Sequence, residues 1–271
     1  MMVSLKDILG DQVPKQDTIN YDELQQRAVE SYNNTVGNLD NEDGIDCKVC
    51  KNKGWIQYVS KDGYLTVKQC ECVAKRNTYK KAINSGLGEY LNKKLPDYKV
   101  ESDWQQKCKD KVKDYMIYHS HDNIWFMACG TSGCGKTLLG SIIANNLLFN
   151  CGRKVLYLIW TDFISRLKRD MMSDLSGTVS DYLEEVKKVD VLFLDEVIKK
   201  YNETDLKYLI EIINYRYTNN LKTIITSERM IEDLLDIDEA TFGRVVERCT
   251  GYIINIPKDR KKNYRLRSII R

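Results

Sequence analysis

The 271-residue sequence predicts an α/β protein: a parallel five-stranded sheet flanked by helices, preceded by a small cysteine-bearing hairpin and helical N-terminal region. Three observations carry this expectation. From residue 123 onward, short near-continuous apolar runs alternate with helical patterns, as in a parallel sheet covered on both faces. A glycine-rich loop sits between the first of these runs and the first long helix. Upstream, four cysteines fall in two close pairs around a strand–turn–strand pattern.

Taken in order, residues 1–46 are polar and acidic, with 3 basic against 10 acidic side chains. Tyr21, Leu24, Ala28 and Tyr32 recur at helical steps, which predicts a short helix rather than a domain. Residues 47–80 form the cysteine region. "GWIQYV" and "LTVKQ" read as two strands joined at Asp62-Gly63. Cys47 and Cys50 precede this hairpin, and Cys70 and Cys72 follow it. The hairpin would bring four soft ligands together, the donor set of a closed structural zinc site with no position open for catalysis. The rival reading is four free thiols.

Residues 81–122 are expected to hold a linker and a helix. The basic stretch from Val73 to Leu95 reads as helical until Pro96 interrupts it. A second helix shows Trp104, Cys108, Val112 and Tyr115 at helical spacing, with Ser102 or Asp103 as its cap. Residues 123–271 are expected to be the catalytic domain. Its strands are "NIWFMAC", "KVLYLI", "VDVLFLDE", "KTIITS" and "YIINI". Helices are expected from Lys136 to about Phe149, over "TDFISRLKRDM", and from about Thr204 to Tyr217. Cys108, Cys129, Cys151 and Cys249 read as small apolar residues.

The loop "GTSGCGKT" comprises Gly130, Thr131, Ser132, Gly133, Cys134, Gly135, Lys136 and Thr137. It matches the phosphate-binding pattern in full and sits where that pattern must, between strand and helix. Such loops wrap backbone N–H groups around phosphates at a positive helix end. Lys136 is expected to reach the β- and γ-phosphates of ATP, and Thr137 to hold Mg²⁺. At the end of "VLFLDE", Asp195 would contact Mg²⁺ and Glu196 would polarise the attacking water. Of the polar residues ending the next strand (Thr226, Ser227, Glu228), one is placed to sense the γ-phosphate, and Ser227 is the candidate. An ordinary helix cap is the alternative. In "TFGRVVERC", Arg244 and Arg248 lie four apart on one helix face. They are candidates for completing a neighbouring subunit's site, or are surface residues.

Together, the phosphate loop, "VLFLDE", "TIITSE", "LLDIDEATFGRVVERC" and "KNYRLR" resemble the DnaC/DnaI-type replicative helicase loaders, a clade of AAA+ ATPases, in their phage and Gram-positive versions. The resemblance runs from about residue 47 to the C-terminus. It implies ATP-dependent loading of a ring-shaped replicative helicase onto single-stranded DNA, with self-assembly on the helicase. It also implies a trans-acting arginine at Arg248 or Arg244, and a second nucleotide sensor at Arg265. Glu228 departs from the asparagine that many AAA+ members carry there. The chain ends soon after the fifth strand, so the helical lid of larger AAA+ proteins is expected to be absent.

Charge and composition bound the rest. The stretch from Lys258 to Arg271 holds 7 basic residues and 1 acidic residue, a phosphate-attracting balance. Arg166, Lys168 and Arg169 are candidate DNA contacts. The start "MMVSLKDILG" lacks the apolar core of a secretory signal, and the 9 scattered cysteines suit a reducing compartment. A cytoplasmic location with no membrane span is therefore expected. Two rival functions share these features: an IstB-type transposition helper ATPase, and a zinc-dependent DNA-binding adaptor whose phosphate loop binds ATP without turning it over.

Overall fold

The computed structural model describes residues 20–39, 44–82, 88–172, 176–199 and 202–266. They divide into two units, one up to Val73 and one from Ala74.

In the first unit, α1 (Tyr21–Asn34) begins at Asn20, whose side chain accepts from the Glu23 N–H at 3.3 Å. Asp22 and Glu23 in its first turn suit the positive helix end. The helix forms where the sequence period put it, yet none of its residues is buried. It is held to the hairpin by polar contacts instead. The Asn33 amide donates to Gln57 O at 2.9 Å and accepts from Gln57 N at 3.0 Å, standing in for a neighbouring strand at the edge of β1. The antiparallel strands β1 (Trp55–Val59) and β2 (Leu65–Gln69) pair with Val59 opposite Leu65. Their turn closes through Gly63 N to Ser60 O at 3.0 Å, with Gly63 at φ +81° as the tight turn requires.

The helix α2 (Glu71–Ala82) follows β2. It ends well before Leu95, shorter than the basic stretch suggests, and residues 83–87 lie outside the described residues. Beyond them Gly88–Tyr90 and Leu95–Asp97 are 3₁₀ turns. Asn145 explains part of this: its amide donates to Tyr90 O at 2.9 Å and Lys93 O at 3.1 Å, satisfying carbonyls that no helix uses. The stretch expected to be a linker is thus core material, with Leu91 and Tyr98 buried.

The second unit is built on a sheet of order β4-β5-β6-β3-β7, all parallel. Its strands are β3 (Phe126–Gly130), β4 (Val155–Ile159), β5 (Val191–Asp195), β6 (Lys222–Ser227) and β7 (Ile253–Ile256). Alternate side chains enter opposite cores. Phe126, Ala128, Tyr157, Phe193 and Ile224 pack on one face with α3 (Asp103–Tyr118) and α4 (Lys136–Asn145). Met127, Leu156, Leu158, Leu192, Leu194 and Ile225 pack on the other. That face is covered by α5 (Trp160–Met172), α6 (Ser176–Lys188), α7 (Glu203–Thr218), α8 (Ile231–Ile237) and α9 (Glu239–Cys249). Burial on both sides explains why these strands lack a polar alternation. A π-helical turn, Asn146–Asn150, continues α4 to near its expected end. The helix α6 was not foreseen, although Tyr182 and Val186 stand four apart in it. Cys108, Cys129 and Cys249 are buried as small apolar residues. Among the described residues, no helix is long and apolar enough to cross a membrane.

Candidate functional site

The loop between β3 and α4 carries Gly130 to Thr137 at the C-terminal edge of the sheet. Two of its glycines are compelled by their surroundings. Gly130, at φ +138°, would place a Cβ 2.5 Å from the backbone oxygen of Ile256, and Gly135, at φ +94°, begins α4 in a left-handed conformation. Any larger residue would break the curl that turns backbone N–H groups inward. Lys136 opens the helix and is 6% exposed; its ammonium donates to Thr131 O at 2.8 Å. Cys134 is buried beside it, and burial pushes this thiol up, which keeps it protonated and sluggish.

Across from the loop, Asp195 ends β5 with 3% exposure. Three hydroxyls converge on it. Thr137 Oγ1 lies 3.1 and 3.2 Å from its two oxygens, Tyr157 OH donates at 2.7 Å, and Thr226 Oγ1 makes a short bond to Oδ1. Burial raises the Asp195 pKa, and these donors oppose the rise. One hydroxyl and one carboxylate brought together at a phosphate loop are a hard-oxygen donor pair of the kind Mg²⁺ takes.

Of the residues ending β6, it is Thr226 and not the candidate sensor Ser227 that touches Asp195. Ser227 donates instead to Val197 O at 2.9 Å, while Thr226 meets Asp195 and also accepts from Glu196 N at 3.0 Å. Successive strand residues point to opposite faces, so only one of the two can reach Asp195. Glu196 adopts φ +55°, and its carboxylate pairs with Lys199 at 3.0 Å. Glu228 lies 3.7 Å from the same ammonium.

Arg265 lies close to the loop. Its neighbour Tyr264 donates its N–H to Gly133 O at 2.9 Å. A cavity of about 310 Å³ is lined there by Tyr90, Tyr98, Trp104, Leu138, Arg265 and the loop. The Tyr98 hydroxyl is buried with no hydrogen-bond partner among the described residues. An aromatic slot beside phosphate-binding backbone suits a nucleotide base. Sequence reasoning missed these aromatics, and Tyr157 as well, because they come from segments remote from the motif.

Arg244 and Arg248 lie elsewhere. Arg244 donates to Asn214 Oδ1 at 2.7 Å. Arg248 donates to Tyr217 O at 2.6 Å and Asn220 Oδ1 at 2.8 Å. The carbonyl of Arg248 accepts from Trp125 N, just ahead of β3. That is the edge of the sheet opposite the loop, so neither arginine reaches the loop of its own chain. On α5, Lys168 pairs with Asp205 at 2.5 Å and Arg166 with Asp170 at 3.7 Å, while Arg166 and Arg169 are exposed.

In the first unit, the sulfurs of Cys47, Cys50, Cys70 and Cys72 all lie within 4.8 Å of one another. Cys47 and Cys70 are 3.7 Å apart, and Cys50 and Cys72 are 3.5 Å apart. A Zn–S bond of about 2.3 Å separates two ligands of a tetrahedron by about 3.8 Å. Lys51 and Asn52, at φ +48° and +62°, turn the chain so that Gly54 N donates to Cys50 Sγ at 3.3 Å. Although burial raises the Cys50 thiol, that N–H and the neighbouring cysteines bring it to about 7. Four soft donors at this spacing fit zinc.

A family profile described as "IstB-like ATP binding protein" matches residues 75–264. The chain belongs to the IstB-like ATP binding protein family. With its parallel sheet and phosphate loop, this IstB-like protein is an ATPase. Its relatives include the uncharacterized protein YqaM of Bacillus subtilis, 29% identical over 73% of this chain and 66% of that protein. They also include the phage-like element PBSX protein XkdC of the same organism, 28% identical over 78% and 82%. The replicative helicase loader DnaC of Buchnera aphidicola is 30% identical over 48% of this chain and 52% of its own length. The crystal structure of DnaI superposes with a TM-score of 0.50 at 23% identity, covering 63% of the IstB-like chain and 92% of DnaI, which bears on the fold.

Proposed function

We propose that this protein loads a replicative DNA helicase onto single-stranded DNA in the cytoplasm, using ATP as the switch. The observation that carries the reading is the convergence of Thr137, Tyr157 and Thr226 on buried Asp195 beside the phosphate loop. It makes an ATP site in one unit, while a separate cysteine-stapled unit is left to engage a partner. The naming of DnaC relatives as helicase loaders directs the reading to a helicase.

In this reading the ATP phosphates lie along the Gly130–Thr137 backbone, with Lys136 turning from Thr131 O to the terminal phosphates. The base enters the slot of Tyr90, Tyr98 and Trp104, and Arg265, which lines the same cavity, reaches the phosphates. Thr137 and Asp195 would hold Mg²⁺, which when bound would neutralise charge that builds on the phosphates. Thr226 and Tyr157 orient Asp195. Glu196 accepts the proton of the attacking water and so sharpens it as a nucleophile. Arg248 or Arg244, remote from its own loop, completes the site of the next copy along the assembly. Arg166 and Arg169 meet the DNA backbone, with Lys168 tied to Asp205. Cys47, Cys50, Cys70 and Cys72 would hold zinc and so staple the docking unit.

The test is co-purification of the full chain with the replicative helicase, with and without ATP. Lys136→Ala should lose ATP binding. Cys47→Ser should lose its zinc and its helicase while keeping ATP affinity. Retention of the helicase by a zinc-free protein would refute the division of labour. The family profile also favours a transposition helper, for which capture of a transposase in place of the helicase would decide.

A further inference from the structure

The ion pair between Glu196 and Lys199 has no part in the hydrolysis outlined above, and it engages the group that must act on water. Lys199 Nζ donates to Glu196 Oε2 at 3.0 Å. Glu228 Oε1 lies 3.7 Å from the same nitrogen. The ammonium is thus shared between the carboxylate at the end of β5 and one at the end of β6.

The lysine does not reach Glu196 by chance of a long side chain. The turn that carries it is fixed on every side. Val197 N donates to Thr226 O at 2.9 Å, and Val197 O accepts from Ser227 Oγ at 2.9 Å. Ile198 O accepts from Arg229 Nε at 2.9 Å. Val197 and Ile198 are buried at 0% and 4% exposure. Glu196 and Ile198 are both held at positive φ, +55° and +52°. A β-branched residue there is a backbone outlier, the kind that persists where surrounding structure over-determines it. With the turn held in this conformation, Lys199 returns to Glu196, three residues back.

We infer that Lys199 is a positioning residue that restrains ATP turnover by occupying Glu196, and that Glu228 sets the restraint by competing for the same ammonium. This rests on Glu196 being the water-activating group. A carboxylate oxygen that accepts from an ammonium has fewer lone-pair positions for a water proton. Glu228 draws Lys199 away from Glu196, so its carboxylate eases the restraint. The hydrogen bond to Glu196 raises the Lys199 pKa, which keeps the lysine charged across the working range. Lys199 and Glu196 remain 41% and 30% exposed. The pair is therefore open to screening, and to displacement by any anion that reaches the turn.

The experiment measures steady-state ATP turnover and ATP affinity of the full chain as wild type, Lys199→Met, Lys199→Gln, Glu228→Gln and Glu196→Gln. Both lysine variants should raise kcat about threefold, the scale of an exposed ion pair, with ATP affinity unchanged. Glu228→Gln should lower kcat. Wild-type turnover should rise with salt relative to Lys199→Met, a response that a merely structural lysine would not produce and that needs no folded variant beyond the comparison. Turnover of Lys199→Met plus Glu196→Gln should match Glu196→Gln alone. Lysine variants with native melting temperature and unchanged or lower kcat, beside an inactive Glu196→Gln, would overturn the restraint alone. Turnover that survives in Glu196→Gln would overturn the assignment of the base beneath it.

Discussion

Thr226→Val is the sharpest probe of the nucleotide site. Valine keeps the shape of threonine, so the β6 packing stays and only the hydroxyl goes. That hydroxyl donates to Asp195 Oδ1 and accepts from Glu196 N at 3.0 Å. A hydrogen bond to a charged group contributes about 1.5–3 kcal/mol, and an N–H left without an acceptor costs about 1–3 kcal/mol. The first effect alone, at about 1.4 kcal/mol per decade, lowers turnover roughly 10- to 100-fold. Asp195 already has its pKa raised by burial, with Thr226 the strongest of its opposing hydrogen bonds. Removing that donor moves the acid limb of turnover to higher pH, because the carboxylate is needed unprotonated. The assay is phosphate release across pH at saturating ATP and Mg²⁺, with ATP affinity measured separately. Ser227→Ala is the control. Its hydroxyl serves Val197 O on the other face, so the change acts mainly on the turn's stability. If Thr226→Val stays within about twofold of wild type while Ser227→Ala falls tenfold, the convergence on Asp195 has been misread.

Two further predictions concern the sheet edge opposite the phosphate loop. Arg216 is fully buried and donates to Thr223 Oγ1, Lys187 O, Val189 O and Lys222 O. Burial lowers its pKa to about 9, which leaves it charged at neutrality. Arg216→Met strands the carbonyls that end α6 and should cost about 1–3 kcal/mol for each one left without a donor in urea unfolding; a loss under about 1 kcal/mol would refute the role. Lys222 is buried, donates to Tyr115 OH at 2.9 Å, and has its pKa lowered by burial to about 8. The unfolded chain then binds more protons between about pH 8 and 10.4, so this contribution grows as pH rises through that window and is lost as pH falls through 8. It reaches up to about 3 kcal/mol, and Lys222→Met should lack it when unfolding is compared at the two ends of the window.

The parts of this protein that were legible from sequence are those written in contiguous residues. "GTSGCGKT" carries its own geometry, since its glycines, lysine and threonine act within one loop. Asp195 and Glu196 were legible because an apolar strand must end where the sheet meets solvent. The cysteine pairs declared themselves by spacing around one hairpin. Strand runs stood out because both faces of the sheet are buried. What the tertiary structure alone decided depends on which face a residue presents and on what distant chain arrives there. Thr226 rather than Ser227 meets Asp195 because of the phase of one strand against its neighbours, and a one-residue difference reverses it. Tyr157 reaches Asp195 from the adjacent strand β4. Tyr90, Tyr98 and Trp104 reach the loop from upstream segments outside the motif, with no local pattern to mark them as a slot. The pairing of Lys199 with Glu196 needs a turn at positive φ that β-branched Ile198 gives no reason to expect. Local chemistry could specify the groups; only the folding of remote segments around one sheet edge could specify their partners.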